Sequence, residues 1–192
     1  MWGGYFNLNT PEDIPALFKK VKDEGLKFDG LIYCAGISPL MTLKDLDVEL
    51  LQSVYNINMI SFIGMLKYFT DEDYTNSGSS IVGISSSTSV YGGNRQYAYS
   101  SSKAAMNSII RNCSEELSIR NIRVNAIMPS ITNTEMVKKL REQSDAIDMN
   151  VKYKMPFGIL EPDDIVRAIL YLLSDDCKLT GTVLPVNNGE IY

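Results

Sequence analysis

The chain has 192 residues, 45% hydrophobic and 21% charged, with 18 Lys and Arg against 23 Asp and Glu, and no histidine. A formal net charge of −5 excludes the broad cationic surface that a phosphate backbone requires, and the lack of histidine excludes Cys–His zinc sites and histidine-activated nucleophiles. Cys34, Cys113 and Cys177 are too few and too widely spaced for a disulfide framework, and no run approaches the length of a membrane span. The expectation is one domain over residues 1–192 in the cytoplasm, with no metal, nucleic-acid partner or membrane contact.

Tyr5-Phe6-Asn7-Leu8 reads as the end of a strand. Thr10 then caps a helix with Pro11 at its first position; Ile14, Leu17, Phe18 and Val21 form its apolar face, and Gly25 stops it. Leu31 to Gly36 is a short apolar run ended by glycine, the mark of a strand covered on both faces. Two helices follow, at about 43–51 and 53–69. Asn76–Ser80 is a polar turn, Ile81–Ile84 a strand, and 85–95 a Ser- and Gly-rich loop. A long helix covers about 97–119, and the strand Ile122–Met128 is closed by Pro129. Residues 130–160 form a long loop with one helix near 134–143, apolar through Met136, Leu140, Met149, Met155 and Phe157. Pro162 opens a helix with Asp163 and Asp164 at its positive end, and Thr182–Val186 is a last strand.

Strands alternating with helices imply an α/β fold with a mostly parallel sheet flanked by helices. Ligands of such sheets bind beyond the carboxyl ends of the strands, here at Cys34–Gly36, Ile84–Ser86 and Met128–Pro129. Tyr99 and Lys103, four apart, share one helix face. An ammonium beside a phenol favours the phenolate, which makes tyrosine a usable proton donor and acceptor. Alone, such a pair is ordinary on a solvated helix. It gains weight from Ser86, which stands at the mouth of the preceding strand.

The run Ile81-Val82-Gly83-Ile84-Ser85-Ser86, then Gly92, then Tyr99-Ser100-Ser101-Ser102-Lys103-Ala104-Ala105 resembles the core of the classical short-chain dehydrogenase/reductase family. Ser86 lies thirteen residues before Tyr99, the family's interval between catalytic serine and tyrosine. Asn58 matches the catalytic asparagine, Arg123–Pro129 the strand entering the Pro-Gly turn, and Thr134 the threonine after it. The chain resembles members of the 3-oxoacyl-carrier-protein reductase kind, and the likeness extends to Leu172–Asp175, Thr180-Gly181 and Val186.

The resemblance implies a Rossmann-like fold and an NAD- or NADP-dependent oxidoreductase acting on a small carbonyl or alcohol substrate. Tyr99 would protonate the carbonyl oxygen, Ser86 would hydrogen-bond it, and Lys103 would hold the nicotinamide ribose and lower the Tyr99 pKa. Asn58 would place a water in a relay to Lys103. Asn7, Ala35, Gly36, Pro129, Ser130, Ile131 and Thr134, with Tyr99 and Lys103, would bind cofactor. The helices about 53–69 and 97–119 would form the contact of a homo-oligomer.

The sequence also departs from the family. The opening strand and its TGxxxGxG turn, which delivers a pyrophosphate to a helix start, have no counterpart here. The fold expected is therefore Rossmann-like but lacking the first βαβ unit. The strand at Leu31–Cys34 becomes a sheet edge. Tyr33-Cys34 stands where the family has two asparagines, Ser130 where it has a turn glycine, and Asn187-Asn188-Gly189 where it has Asp-Gly-Gly. These changes predict weak dinucleotide binding by this chain. They leave a second reading, a catalytically inactive protein that acts through oligomerisation.

Overall fold

The computed structural model describes residues 6–190. Four strands form one parallel sheet in the order β1-β2-β3-β4: Phe28–Tyr33, Thr75–Ile84, Arg123–Pro129 and Val183–Val186. The register sets Tyr33 beside Gly83, Ile84 beside Ile127 and Pro129 beside Val186. The carboxyl ends of all four strands therefore open on one side of the molecule, where an open α/β sheet binds its ligands.

Side chains that alternate along the strands feed two cores. Ile81, Val124 and Ala126 face one way, against α1 (Ile14–Asp23), α3 (Ser61–Phe69) and α5 (Tyr97–Ser118), through Ile14, Phe18, Phe62, Phe69, Met106 and Ile110. Val82 and Ile127 face the other way, against Ile165, Ile169 and Leu172 of α8 (Pro162–Leu173). Each fully buried side chain of this size contributes about 1.5–3 kcal/mol, so both helical layers are fixed to the sheet. β1 has one neighbour only among the described residues, and Ile32 on it is 48% exposed. The sheet edge expected from the sequence is present.

Several element bounds differ from the sequence reading. The Asn7–Leu8 piece is no strand end; Leu8 and Asn9 form a turn, and Tyr5 lies outside the described residues. Gly25 does end α1, with φ near +70°. The expected helix pair is one rod: α2 (Val48–Tyr55), a π-helical turn (Asn56–Ile60) and α3 run on without a break. Its start is fixed by Asp47, whose carboxylate accepts from the Glu49 and Leu50 amides. The polar turn at Asn76–Ser80 is a bulge within β2, since one residue of β1 lies opposite four of β2 between the Phe28–Thr75 and Gly30–Ser80 pairs. The serine-rich loop contains a short helix, α4 (Thr88–Tyr91), and the 130–160 loop holds two helices, α6 (Glu135–Arg141) and α7 (Ala146–Lys154).

Candidate active site

The backbone beyond the strand ends is itself held in a ladder. The Ser85 amide donates to Ile127 O at 2.8 Å, the Ser87 amide to Pro129 O at 2.8 Å, and the Ser130 amide to Val186 O at 3.2 Å. Ser86 is thereby fixed in the continuation of β2. A cavity of about 140 Å³ opens there, lined by Ser86, Ser87, Tyr91, Tyr99, Ser130 and Ile131, with Met136, Leu140 and Ile147 of α6 and α7 closing it. Met155 is buried, whereas Met149 and Phe157 of the same stretch are exposed and do not line it.

Tyr99 and Lys103 lie on the first turns of α5. Tyr99 reaches the cavity; Lys103 is buried at its side, with Nζ 5.8 Å from the Tyr99 ring centre. The Lys103 ammonium donates to Ile84 O at 2.7 Å. Burial pushes its pKa down to about 8 from 10.5. Tyr99 moves upward, because its phenol is desolvated; a hydrogen bond with Ser86 opposes that, and the Cys34 thiol adds to it. In this structure burial, not the neighbouring ammonium, dominates Tyr99, contrary to the direction expected from the sequence. The outcome is a phenol that keeps its proton at neutral pH beside a lysine that titrates near it.

Asn58 sits in the π-helical turn and is fully buried. Its Oδ1 accepts from the Ile37 amide at 2.9 Å, and its Nδ2 donates to Ile37 O at 3.0 Å and to Ser102 Oγ at 3.0 Å. Ser102 in turn donates to Tyr99 O at 2.8 Å. Asn58 therefore ties the loop after β1 to the helix that carries Tyr99 and Lys103. Gly36 lies in the angle between them: a Cβ there would stand 3.4 Å from both Asn58 Oδ1 and Lys103 Nζ. Tyr33, where the family has asparagine, donates its hydroxyl to Ile57 O in the same π turn, and burial raises its pKa. A π turn leaves carbonyls without their usual helical donors, so this hydroxyl serves the peptide beside Asn58.

The other expected cofactor residues are scattered. Ser130 and Ile131 line the cavity, and Pro129 ends β3 just before them. Thr134 caps α6, accepting from the Val137 amide at 3.4 Å. Ala35 faces a different hollow, an apolar groove of about 240 Å³ along the free edge of β1 with Leu31, Ile32 and Cys34. Asn7 is exposed, its Oδ1 accepting from the Asn9 amide at 3.1 Å. The three cysteines are free.

Sequence reasoning passed over Ser87, Tyr91 and Glu190. Ser87 and Tyr91 line the cavity, and Tyr91 donates to the buried Glu190 carboxylate. The serine-rich stretch looked like a plain loop, and Glu190 carries no local signal that would place it ninety-nine residues away against Tyr91. A second hidden network joins Ser85 Oγ to Asn107 Oδ1 at 2.6 Å and Asn107 Nδ2 to Ser89 Oγ at 2.8 Å, pinning the loop to α5.

A parallel sheet with helices on both faces, and a Ser, Tyr, Lys and Asn set gathered beyond its strand ends, defines an α/β protein of the Rossmann-like class. Comparison with known proteins narrows the class. The sequence profile described as Enoyl-(Acyl carrier protein) reductase matches residues 5–190. The 3alpha-hydroxysteroid dehydrogenase of Mediterraneibacter gnavus is 32% identical over 189 residues, 97% of this chain and 74% of that protein. The 3-oxoacyl-[acyl-carrier-protein] reductase of Thermotoga maritima is 29% identical over 187 residues, 96% of this chain and 75% of that protein. Among solved structures, 4-hydroxyisoleucine dehydrogenase complexed with NADH superposes with a TM-score of 0.86 at 26% identity, covering 96% of this chain and 76% of that one. A short chain dehydrogenase family protein from Francisella tularensis gives a TM-score of 0.86 at 26% identity, covering 95% and 78%. The chain belongs to the short-chain dehydrogenase/reductase family.

Proposed function

We propose that this chain is an NAD(P)-dependent oxidoreductase that reduces a ketone or oxidises a secondary alcohol. The observation that carries the reading is the single cavity onto which Ser86 and Tyr99 open, with Lys103 and Asn58 buried behind it. The similarity to a 3alpha-hydroxysteroid dehydrogenase and a 3-oxoacyl-[acyl-carrier-protein] reductase, and to the structure of a dehydrogenase complexed with NADH, supports it.

The fit to a dinucleotide is uneven. Gly36, Lys103 and Asn58 leave a recess that any Cβ would narrow, and with Tyr99, Ser130 and Ile131 they suit the nicotinamide and its ribose. Ala35, Pro129 and Thr134 belong to the same proposed set, on the loops around it. No glycine-rich turn among the described residues is placed to hold a pyrophosphate, and Asn7 is the sole candidate toward the adenine. When bound, the nicotinamide supplies or accepts the hydride. The chain's own residues do the rest. Ser86 hydrogen-bonds the substrate oxygen. Tyr99, kept protonated by burial, gives that oxygen its proton as charge develops on it. Lys103, with a pKa near 8, is the neighbouring group able to restore the Tyr99 proton near neutral pH. Asn58 holds Ile37 and Ser102 so that Tyr99 and Lys103 keep their spacing.

The same proposal includes a homo-oligomer through the helical stretches about 53–69, which hold the π turn and α3, and 97–119, which hold α5. Ile60 and Ile63 are about two-fifths exposed, at 40% and 42%, and Tyr97 at the start of α5 is 46% exposed. One observation favours a second reading, an interaction protein without turnover: the edge of β1, unpaired among the described residues, with its apolar groove. Titration of the purified chain with NADH and NADPH, followed by nicotinamide fluorescence, separates the two. Saturable quenching by either cofactor fits the oxidoreductase. Stable oligomers with no quenching at millimolar cofactor would establish the interaction protein instead.

A further inference from the structure

The cavity wall beside Ser86 carries a hydrogen-bond relay that the reaction does not use. Glu190 is 7% exposed, and its Oε1 accepts from the Tyr91 hydroxyl at 2.7 Å. The Tyr91 hydroxyl lies 3.0 Å from Ser87 Oγ. Glu190 Oε2 has no hydrogen-bond partner among the described residues. Lys154 places its ammonium over the Tyr91 ring, 5.6 Å from the centroid.

The direction of the relay follows from what each group can donate. A carboxylate accepts only, and a phenol has one proton. With that proton given to Glu190, Tyr91 can only accept from Ser87. The Ser87 proton is then committed to Tyr91, and what Ser87 has left to offer the cavity is acceptor capacity. Ser87 and Tyr91 both line the cavity that Ser86 and Tyr99 share. One wall of the site is therefore polarised as an acceptor, next to a Ser86–Tyr99 pair that donates to the reacting oxygen.

From this we infer that Glu190 is a positioning residue for substrate specificity: acting through Tyr91 and Ser87, it selects substrates that carry a hydrogen-bond donor, a hydroxyl or amino group, near the carbonyl. The preferred class is hydroxyketones and their diol counterparts rather than simple ketones or substrates with acceptor-only substituents. This rests on the oxidoreductase reading for the carbonyl, but the selection itself is a matter of binding. An acceptor-only substituent facing Ser87 would set lone pair against lone pair, and a buried polar group left unmatched loses about tenfold in affinity.

The test uses probe pairs that differ in donor capacity at nearly constant size: 2- and 4-hydroxycyclohexanone against 2- and 4-fluorocyclohexanone. Dissociation constants are measured by ligand-observed NMR on the full chain, without cofactor. The wild-type protein is expected to prefer the hydroxyl member about tenfold in at least one pair. Glu190→Gln lets the side chain donate as well as accept, so the proton order is no longer fixed and the ratio should fall toward one. Tyr91→Phe and Ser87→Ala break the relay at other links and should erase the preference too, which guards against a Glu190 variant that fails to fold. Because the ratio is taken within each variant, a general loosening of the cavity would weaken both probes and leave it unchanged. Equal binding of the pair by wild type, or an unchanged ratio in all folded variants, overturns the inference. Selective binding without nicotinamide-dependent turnover would sink the oxidoreductase reading and leave this one standing. Failure of every probe to bind would remove both.

Discussion

Asn58→Ala probes the tie between the loop after β1 and α5. The asparagine is fully buried and makes three hydrogen bonds, two to the Ile37 backbone and one to Ser102 Oγ. Truncation leaves the Ile37 N–H and C=O without partners. Ser102 keeps its bond to Tyr99 O. A buried backbone group left unsatisfied costs about 1–3 kcal/mol. Ile37 is only half-buried, so solvent recovers part of the loss, and the two groups together should cost about 2–4 kcal/mol. With a urea slope near 2 kcal/mol/M, the midpoint should fall by about 1–2 M. Hydrogen exchange adds a local reading: the Ile37 amide should lose its protection while amides in β2 and β3 keep theirs relative to the new global stability. A midpoint drop below about 0.3 M, with Ile37 still protected, would refute the tie and leave Asn58 a mere occupant of the π turn.

Other consequences can be checked directly. Gly30→Ala places a Cβ 2.7 Å from Ser80 O in the neighbouring strand; backbone cannot yield cheaply, so urea unfolding should show a loss of about 1–3 kcal/mol, and an unchanged midpoint would contradict the β1–β2 register. Lys103 titrates near 8 in the fold against 10.5 for an ordinary lysine. Between those values the unfolded chain binds more protons, so stability rises with pH; the burial penalty is full below about 8 and relieved above it. Tyr99, shifted upward by burial, acts oppositely above its ordinary value of 10, so the clean window is pH 8 to 10. Wild type should gain on Lys103→Met there by up to about 1.4 kcal/mol per pH unit, and parallel stability curves for the two proteins would disprove the depressed pKa.

The parts of this molecule that were legible in the sequence are those with strict local periods or fixed intervals. The apolar run at Ile122–Met128 could be little but a buried parallel strand; the run at Leu31–Cys34 is a parallel strand too, but not one covered on both faces, since Ile32 is 48% exposed and Cys34 lies exposed beyond its end. Ser86, Tyr99 and Lys103 hold their spacing within one strand–loop–helix segment. The sheet edge expected at β1 is present among the described residues. Boundaries were harder. Residues 43–69 read as two helices divided near residue 52, whereas the backbone runs on without a break from Val48 to Phe69; Asn56 and Asn58 fall in a π turn within it, where Asn58 finds partners on Ile37 and Ser102. The bulge at Asn76–Ser79 has turn composition yet stays within a strand, because Phe28 and Thr75 pair beyond it. Electrostatics was the least legible. The spacing of Tyr99 and Lys103 suggested that the ammonium would govern the phenol, but depth of burial is a tertiary property, and it carries Tyr99 upward and Lys103 downward. The Glu190–Tyr91–Ser87 relay is invisible for the same reason: its ends meet only through the fold.

The central claim is that Tyr99, set between Ser86 and Lys103, delivers the proton in a nicotinamide-dependent reduction. Its most direct test is single-turnover oxidation of NADH or NADPH by a hydroxyketone, comparing wild type with Tyr99→Phe at matched cofactor occupancy. Loss of the phenolic proton donor should slow the step by about 10²–10⁴-fold while cofactor binding is retained. Equal rates in the two proteins, or wild type that binds cofactor and ketone together without any oxidation of the nicotinamide, would contradict it.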